Sequence, residues 1–265
     1  MSIVADDLVL RSGGATIIAG VTLALPATGG VAVIGPNGAG KSTLLRLLAG
    51  VVAPTGGAVT LDGTALAATP RTERARRIGY LPQQFTPHWD LTVADLVRLG
   101  AERTGPVAAD RLGNVVADFG LSGFADRRWS TLSGGERARV LLAMVLAVDP
   151  DILFADEPGA SLDVRHRLEL VHMLAERSRR RLCVAAVHDL DLAFRYFDRV
   201  VLVAAGRIVA DGPAEAILDD RRLDETFGVR FRRLKTEDGT ILQAVQRPTV
   251  HRQPIAAATA TWRSN

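Results

Sequence analysis

The run Gly35-Pro36-Asn37-Gly38-Ala39-Gly40-Lys41-Ser42-Thr43 has the make-up of a phosphate cradle. Its glycines at 35, 38 and 40 let the backbone fold tightly and turn its N–H groups inward, and the start of the following helix adds its positive end. Lys41 would supply a full charge to the β- and γ-phosphates of a nucleoside triphosphate, Ser42 a hydroxyl to Mg²⁺, and Thr43 a hydroxyl to the α-phosphate. A second stretch, Asp151-Ile152-Leu153-Phe154-Ala155-Asp156-Glu157, reads as an apolar strand ending in two carboxylates. Asp156 would hold Mg²⁺ through water, and Glu157 would orient an attacking water and draw its proton.

Between these two lies Leu132-Ser133-Gly134-Gly135-Glu136, in which Ser133 can cap a helix. Cradle, pentapeptide and paired carboxylates, in that order, resemble the ATP-binding subunit of an ABC transporter, over roughly residues 3 to 235. The resemblance implies that Ser133, Gly134 and Gly135 contact ATP held by a second copy of the chain, so that two chains enclose two ATPs head to tail. It further implies three motifs. In Tyr80-Leu81-Pro82-Gln83, Gln83 would touch Mg²⁺ and the attacking water; its neighbour Gln84 is the other candidate. Ala160-Ser161-Leu162-Asp163 would be the loop that crosses the dimer interface, with Asp163 at the nucleotide. In Val187-His188-Asp189, His188 would bond the γ-phosphate.

Two positions depart from the family pattern. Alignment by the first strand puts Ser12, preceded by Arg11, where an aromatic residue usually stacks on adenine. This predicts weak adenine selectivity, or a guanidinium cover from Arg11. Met144 stands where arginine is common in the helix after the pentapeptide.

The elements needed to hold these residues follow from periodicity. Ser2 to Leu10 and Ala15 to Leu25 predict a strand hairpin, Val31 to Ile34 a buried strand, and Lys41 to Gly50 a helix. Ala58 to Leu61 predicts a further strand. Thr92 with Asp95 forms a capping box for a helix over Thr92 to Leu99. Residues 86–148 predict a helical lobe inserted into the core. Beyond it, strands at 151–155, 182–187, 199–204 and 207–210 alternate with helices at 163–179 and 189–196, and Phe231 to Leu242 forms a last hairpin. The expected fold class is α/β: a P-loop core with a mixed sheet, a β-rich N-terminal subdomain and the helical subdomain. Residues 1–245 form the expected ATPase domain, and 246–265, without an acidic residue, an expected disordered tail.

The chain has 265 residues, 48% hydrophobic, enough for a sizeable core. Its 32 basic and 29 acidic side chains leave +3, too little to argue for a nucleic-acid partner. The single cysteine, Cys183, sits in an apolar run and excludes an internal disulfide. The start of the sequence lacks a signal-peptide pattern, and the longest apolar run, Val140 to Val148, is too short to span a bilayer. The expectation is a peripheral protein at the cytoplasmic face of the membrane, held there by permease subunits and served indirectly by a substrate-binding protein. The segments Arg77 to Gln83, Thr92-Val93, Val97 to Gly100 and Phe227 to Arg230 resemble importers of iron–siderophores, haem and cobalamin. Zinc or manganese importers, a non-transport ABC ATPase and an inert nucleotide-binding module are the competing readings.

Overall fold

The first two strands of this computed structural model, β1 (Ile3–Ser12) and β2 (Ala15–Leu25), pair antiparallel and alternate buried with exposed side chains. That period of two marks a sheet with one wet face. The structure describes residues 2–159, 162–237 and 239–245, apart from the side chains of 109–111.

β3 (Gly29–Ile34) is buried almost throughout and runs into the glycine-rich loop; α1 (Lys41–Leu48) follows. β4 (Gly56–Leu61) and β5 (Thr64–Ala65) return to the first sheet, whose order is β2-β1-β4-β5. α2 (Arg71–Arg77) and β6 (Ile78–Leu81) lead into the helical lobe of α3 (Val93–Glu102), α4 (Ala109–Asp118) and α5 (Gly134–Leu146). Then come β7 (Ile152–Asp156), α6 (Val164–Ser178), β8 (Leu182–Ala186), α7 (Leu190–Tyr196), β9 (Arg199–Ala204) and β10 (Arg207–Pro213). α8 (Ala214–Leu218) and α9 (Arg221–Phe227) precede a separate hairpin of β11 (Arg230–Thr236) and β12 (Gly239–Val245).

The second sheet has the order β10-β9-β3-β8-β7-β6 and is parallel except for its β10 edge. Both faces of β3, β7 and β8 are covered, so these strands read as unbroken apolar runs. Their alternate residues feed two cores. Val31, Val33, Phe154 and Val184 pack with α1 and the antiparallel sheet, while Ala32, Ile34, Leu153 and Cys183 pack with α6 and α7. Truncating a fully buried side chain such as Phe154 to alanine would cost about 3–5 kcal/mol.

The helical lobe has its own core, built on Val93, Leu96, Leu121, Trp129, Leu132 and Val140. The Thr92–Asp95 capping box forms, with the Asp95 N–H donating to Thr92 Oγ1 at 3.1 Å. The mixed sheet, the β-rich N-terminal piece and a helical lobe between β6 and β7 are present. α2, β6, α8 and α9 are short elements that the periodicity does not assign. The tail at 246–265 lies outside the described residues, as do Ala160, Ser161 and Asp238.

Candidate functional site: a nucleotide cleft at the carboxyl edge of the sheet

β6, β7, β8 and β3 are parallel, so their C-terminal ends share one edge. Each end delivers one motif: Gln83 after β6, Asp156 and Glu157 at β7, His188 after β8, and the glycine-rich loop after β3. Open α/β sheets bind ligands at this edge. Lys41, Ser42, Thr43, Gln83, Glu157, His188 and the loop residues Asn37, Gly38, Ala39 and Gly40 line one cleft of about 440 Å³. Gly35 and Pro36 are not among the residues that line it. Gly35 has φ 152, and a Cβ there would stand 2.1 Å from the Val203 carbonyl oxygen, so no other residue fits.

Lys41 is 5% exposed and opens α1, capped by the left-handed Gly40. Its Nζ donates to the carbonyls of Gly35 at 2.9 Å and Pro36 at 3.2 Å. Burial lowers its pKa, against the opposing pull of Glu157 and Asp156. Asp156 is fully buried, and both its oxygens are engaged: Ser42 Oγ donates to Oδ1 at 2.6 Å and Tyr80 Oη to Oδ2 at 2.9 Å. Arg46 Nε donates to Tyr80 Oη at 3.2 Å.

Glu157 sits at φ 50, a conformation costly for a side chain with a Cβ and typical of functional turns. Its backbone N–H donates to Ala186 O at 3.2 Å. Its carboxylate is clasped from two sides: Gln83 Nε2 donates to Oε2, and His188 Nε2 meets Oε1. Gln83, rather than Gln84, therefore makes the contact, although both face a neighbouring cavity of about 570 Å³.

The pentapeptide is placed differently. Ser133 caps α5 in a capping box with Glu136, and Glu136 is held by Arg127 at 2.8 Å. Ser133, Gly134 and Gly135 do not line the cradle's cleft; Gly134 faces the neighbouring cavity. Asp163 caps α6, also outside the cleft. Hydrogen bonds from the His166 backbone and ring hold its carboxyl below the ordinary range.

Three residues near the cleft escaped the sequence reading of roles. Ile17 on β2 lines it, whereas Ser12 and Arg11 sit exposed at the hairpin end. Tyr80 and Arg46 buttress Asp156. The alternating pattern of β2 announces a strand but not which of its residues overhangs the cradle.

The family model described as ABC transporter matches residues 18–160. The hemin import ATP-binding protein HmuV of Rhodopseudomonas palustris is 40% identical over 225 residues, 82% of this chain and 84% of that protein. The cobalamin import ATP-binding protein BtuD of Halobacterium salinarum is 42% identical over 211 residues, 76% of this chain and 52% of that protein. In fold, the chain is similar to a solved nucleotide-free ATP-binding cassette from an ABC transporter, with a TM-score of 0.75, 22% identity and coverage of 86% of this chain and 99% of that one. The chain belongs to the ABC transporter family.

Proposed function

We propose that this protein is the ATP-hydrolysing subunit of an ABC importer that energises uptake of an iron chelate, such as haem or a siderophore complex, or of cobalamin. The observation that carries the catalytic part is the clasp on Glu157: Gln83 and His188 fix its carboxylate at the mouth of the phosphate cradle. The relatives' hemin and cobalamin import support the cargo class.

In the reaction, water attacks the γ-phosphorus, the bond from that phosphorus to the β,γ-bridging oxygen breaks, and the water's proton passes to Glu157. Lys41 leaves its loop carbonyls to take the phosphate charge. His188 would hold the γ-phosphate, and Gln83 the water. The side-by-side oxygens of Ser42 and Asp156, with the carboxylate buried, fit a small hard dication completed by phosphate and water. Mg²⁺ bound there would neutralise charge on the β- and γ-phosphates.

The Ser133–Gly135 segment lies away from its own chain's cleft, which supports a site completed by a second copy: the helix N-terminus of one chain faces the ATP of the other, with Asp163 beside it. ATP would close such a pair and hydrolysis would release it, shifting the population of closed dimers that move the permease. No described helix is long and apolar enough to cross a membrane. Permease subunits would hold the chain at the cytoplasmic face, and a binding protein would deliver cargo to them.

The test is ATP hydrolysis by the chain assembled with its permease subunits, with binding proteins loaded with haem, siderophore, cobalamin or zinc added one at a time. Stimulation by a haem-, siderophore- or cobalamin-loaded protein supports the reading. Stimulation by zinc alone would move the cargo class, and hydrolysis indifferent to every permease would remove the transport role.

A further inference from the structure

One imidazole ring joins the start of α5 to Asp163, the residue that caps α6. His166 Nδ1 stands 2.9 Å from both carboxylate oxygens of Asp163, while its backbone N–H donates to Oδ1 of the same carboxylate at 2.9 Å. The ring also lies against Gly135. A methyl group added to Gly135 would stand 3.0 Å from Cδ2 and 3.2 Å from Nδ1 of His166. Gly135 has ordinary helical backbone, so an added methyl would be opposed by the ring, which must give by a few tenths of an ångström, and not by a dihedral angle. The two segments belong to different parts of the fold, α5 to the helical lobe and α6 to the core.

We propose that His166 is a positioning residue: its ring sets the spacing between Asp163 and the N-terminus of α5, and so the geometry with which Ser133 to Gly135 meets a nucleotide on a second chain. This rests on the two-chain reading above. The ring is 36% exposed and touches both segments directly, so movement of Asp163 would shift the ring against the start of α5.

The test uses the full chain with Glu157→Gln, which retains ATP, and measures the ATP-driven dimer by light scattering, alongside fluorescent-nucleotide affinity for the single chain. His166→Ala is expected to raise the ATP or chain concentration needed for dimer by tenfold or more, with single-chain nucleotide affinity unchanged. His166→Gln, which keeps a donor for Asp163, should restore most of it. Gly135→Ala should weaken the dimer, and His166→Ala added to it should cost less than in the parent. Unchanged dimerisation in His166→Ala, or additive losses in the double variant, would overturn the inference while leaving the two-chain reading intact. Failure of Glu157→Gln itself to dimerise would remove the two-chain reading and this inference with it.

Discussion

Tyr80 Oη donates a 2.9 Å hydrogen bond to Oδ2 of Asp156, the carboxylate oxygen that Ser42 does not occupy. Burial pushes the Tyr80 phenol up to about 12, so it keeps its proton throughout the ordinary pH range and remains a donor. A buried carboxylate that loses one partner bears the desolvation cost itself, about 1–3 kcal/mol. Tyr80→Phe is therefore expected to destabilise the protein by about that much, read as a lower urea midpoint with unchanged slope.

Glu157→Gln keeps the side chain's shape but removes the proton acceptor. Turnover should fall at least about 10²-fold, in line with the loss of a general base, while ATP binding persists. Steady-state hydrolysis and nucleotide binding on the same preparation check both halves; unchanged turnover would remove Glu157 from its role.

Gly100 on α3 lies against α5 so closely that a Cβ would stand 2.0 Å from the Met144 carbonyl oxygen. This contact sits at the position where the family often carries arginine and this chain carries methionine. Gly100→Ala must part the two helices, an overpacking cost of about 1–3 kcal/mol. A lower melting temperature with the lobe's helical signal retained is the expected result.

Burial alone would raise the Asp224 pKa, but paired hydrogen bonds from Arg233 and one from the Phe231 N–H outweigh it and hold it below 3.8. A carboxyl depressed in the folded state stabilises above its unfolded pKa, and that stability is lost as pH falls through the folded value. Protection of the β11–β12 hairpin amides, corrected for the intrinsic exchange rate, should fall on acidification through the depressed Asp224 pKa, and Asp224→Asn should abolish that acid dependence while lowering protection at neutral pH.

The cleft meets β2 at Ile17, an aliphatic side chain, while Ser12 and Arg11 stand exposed beyond it. With no Phe, Tyr or Trp among the described residues lining the cleft to stack on the base, selection among purines should be slight. ATP and GTP are expected to compete almost equally for the cradle; strong ATP preference in a displacement titration would contradict this.

The chain's local chemistry was legible because it is written in contiguous runs. Glycines followed by Lys41, apolar residues followed by Asp156 and Glu157, and Thr92 three residues before Asp95 are each decided within one turn or strand, where neighbour spacing fixes geometry. Strand type was legible for β3, β7 and β8 because burial on both faces leaves unbroken apolar runs. α2 was not legible, since its Arg-rich sequence buries no side chain and shows no apolar face. What only the tertiary structure decided is convergence across distance. Gln83 and His188 are 105 residues apart in sequence, yet both hold Glu157, because β6, β7 and β8 lie parallel and end on one edge. The Tyr80–Asp156 bond and the His166 ring on Gly135 have the same origin: side chains from separate segments meet only after the apolar faces of their elements have been buried together.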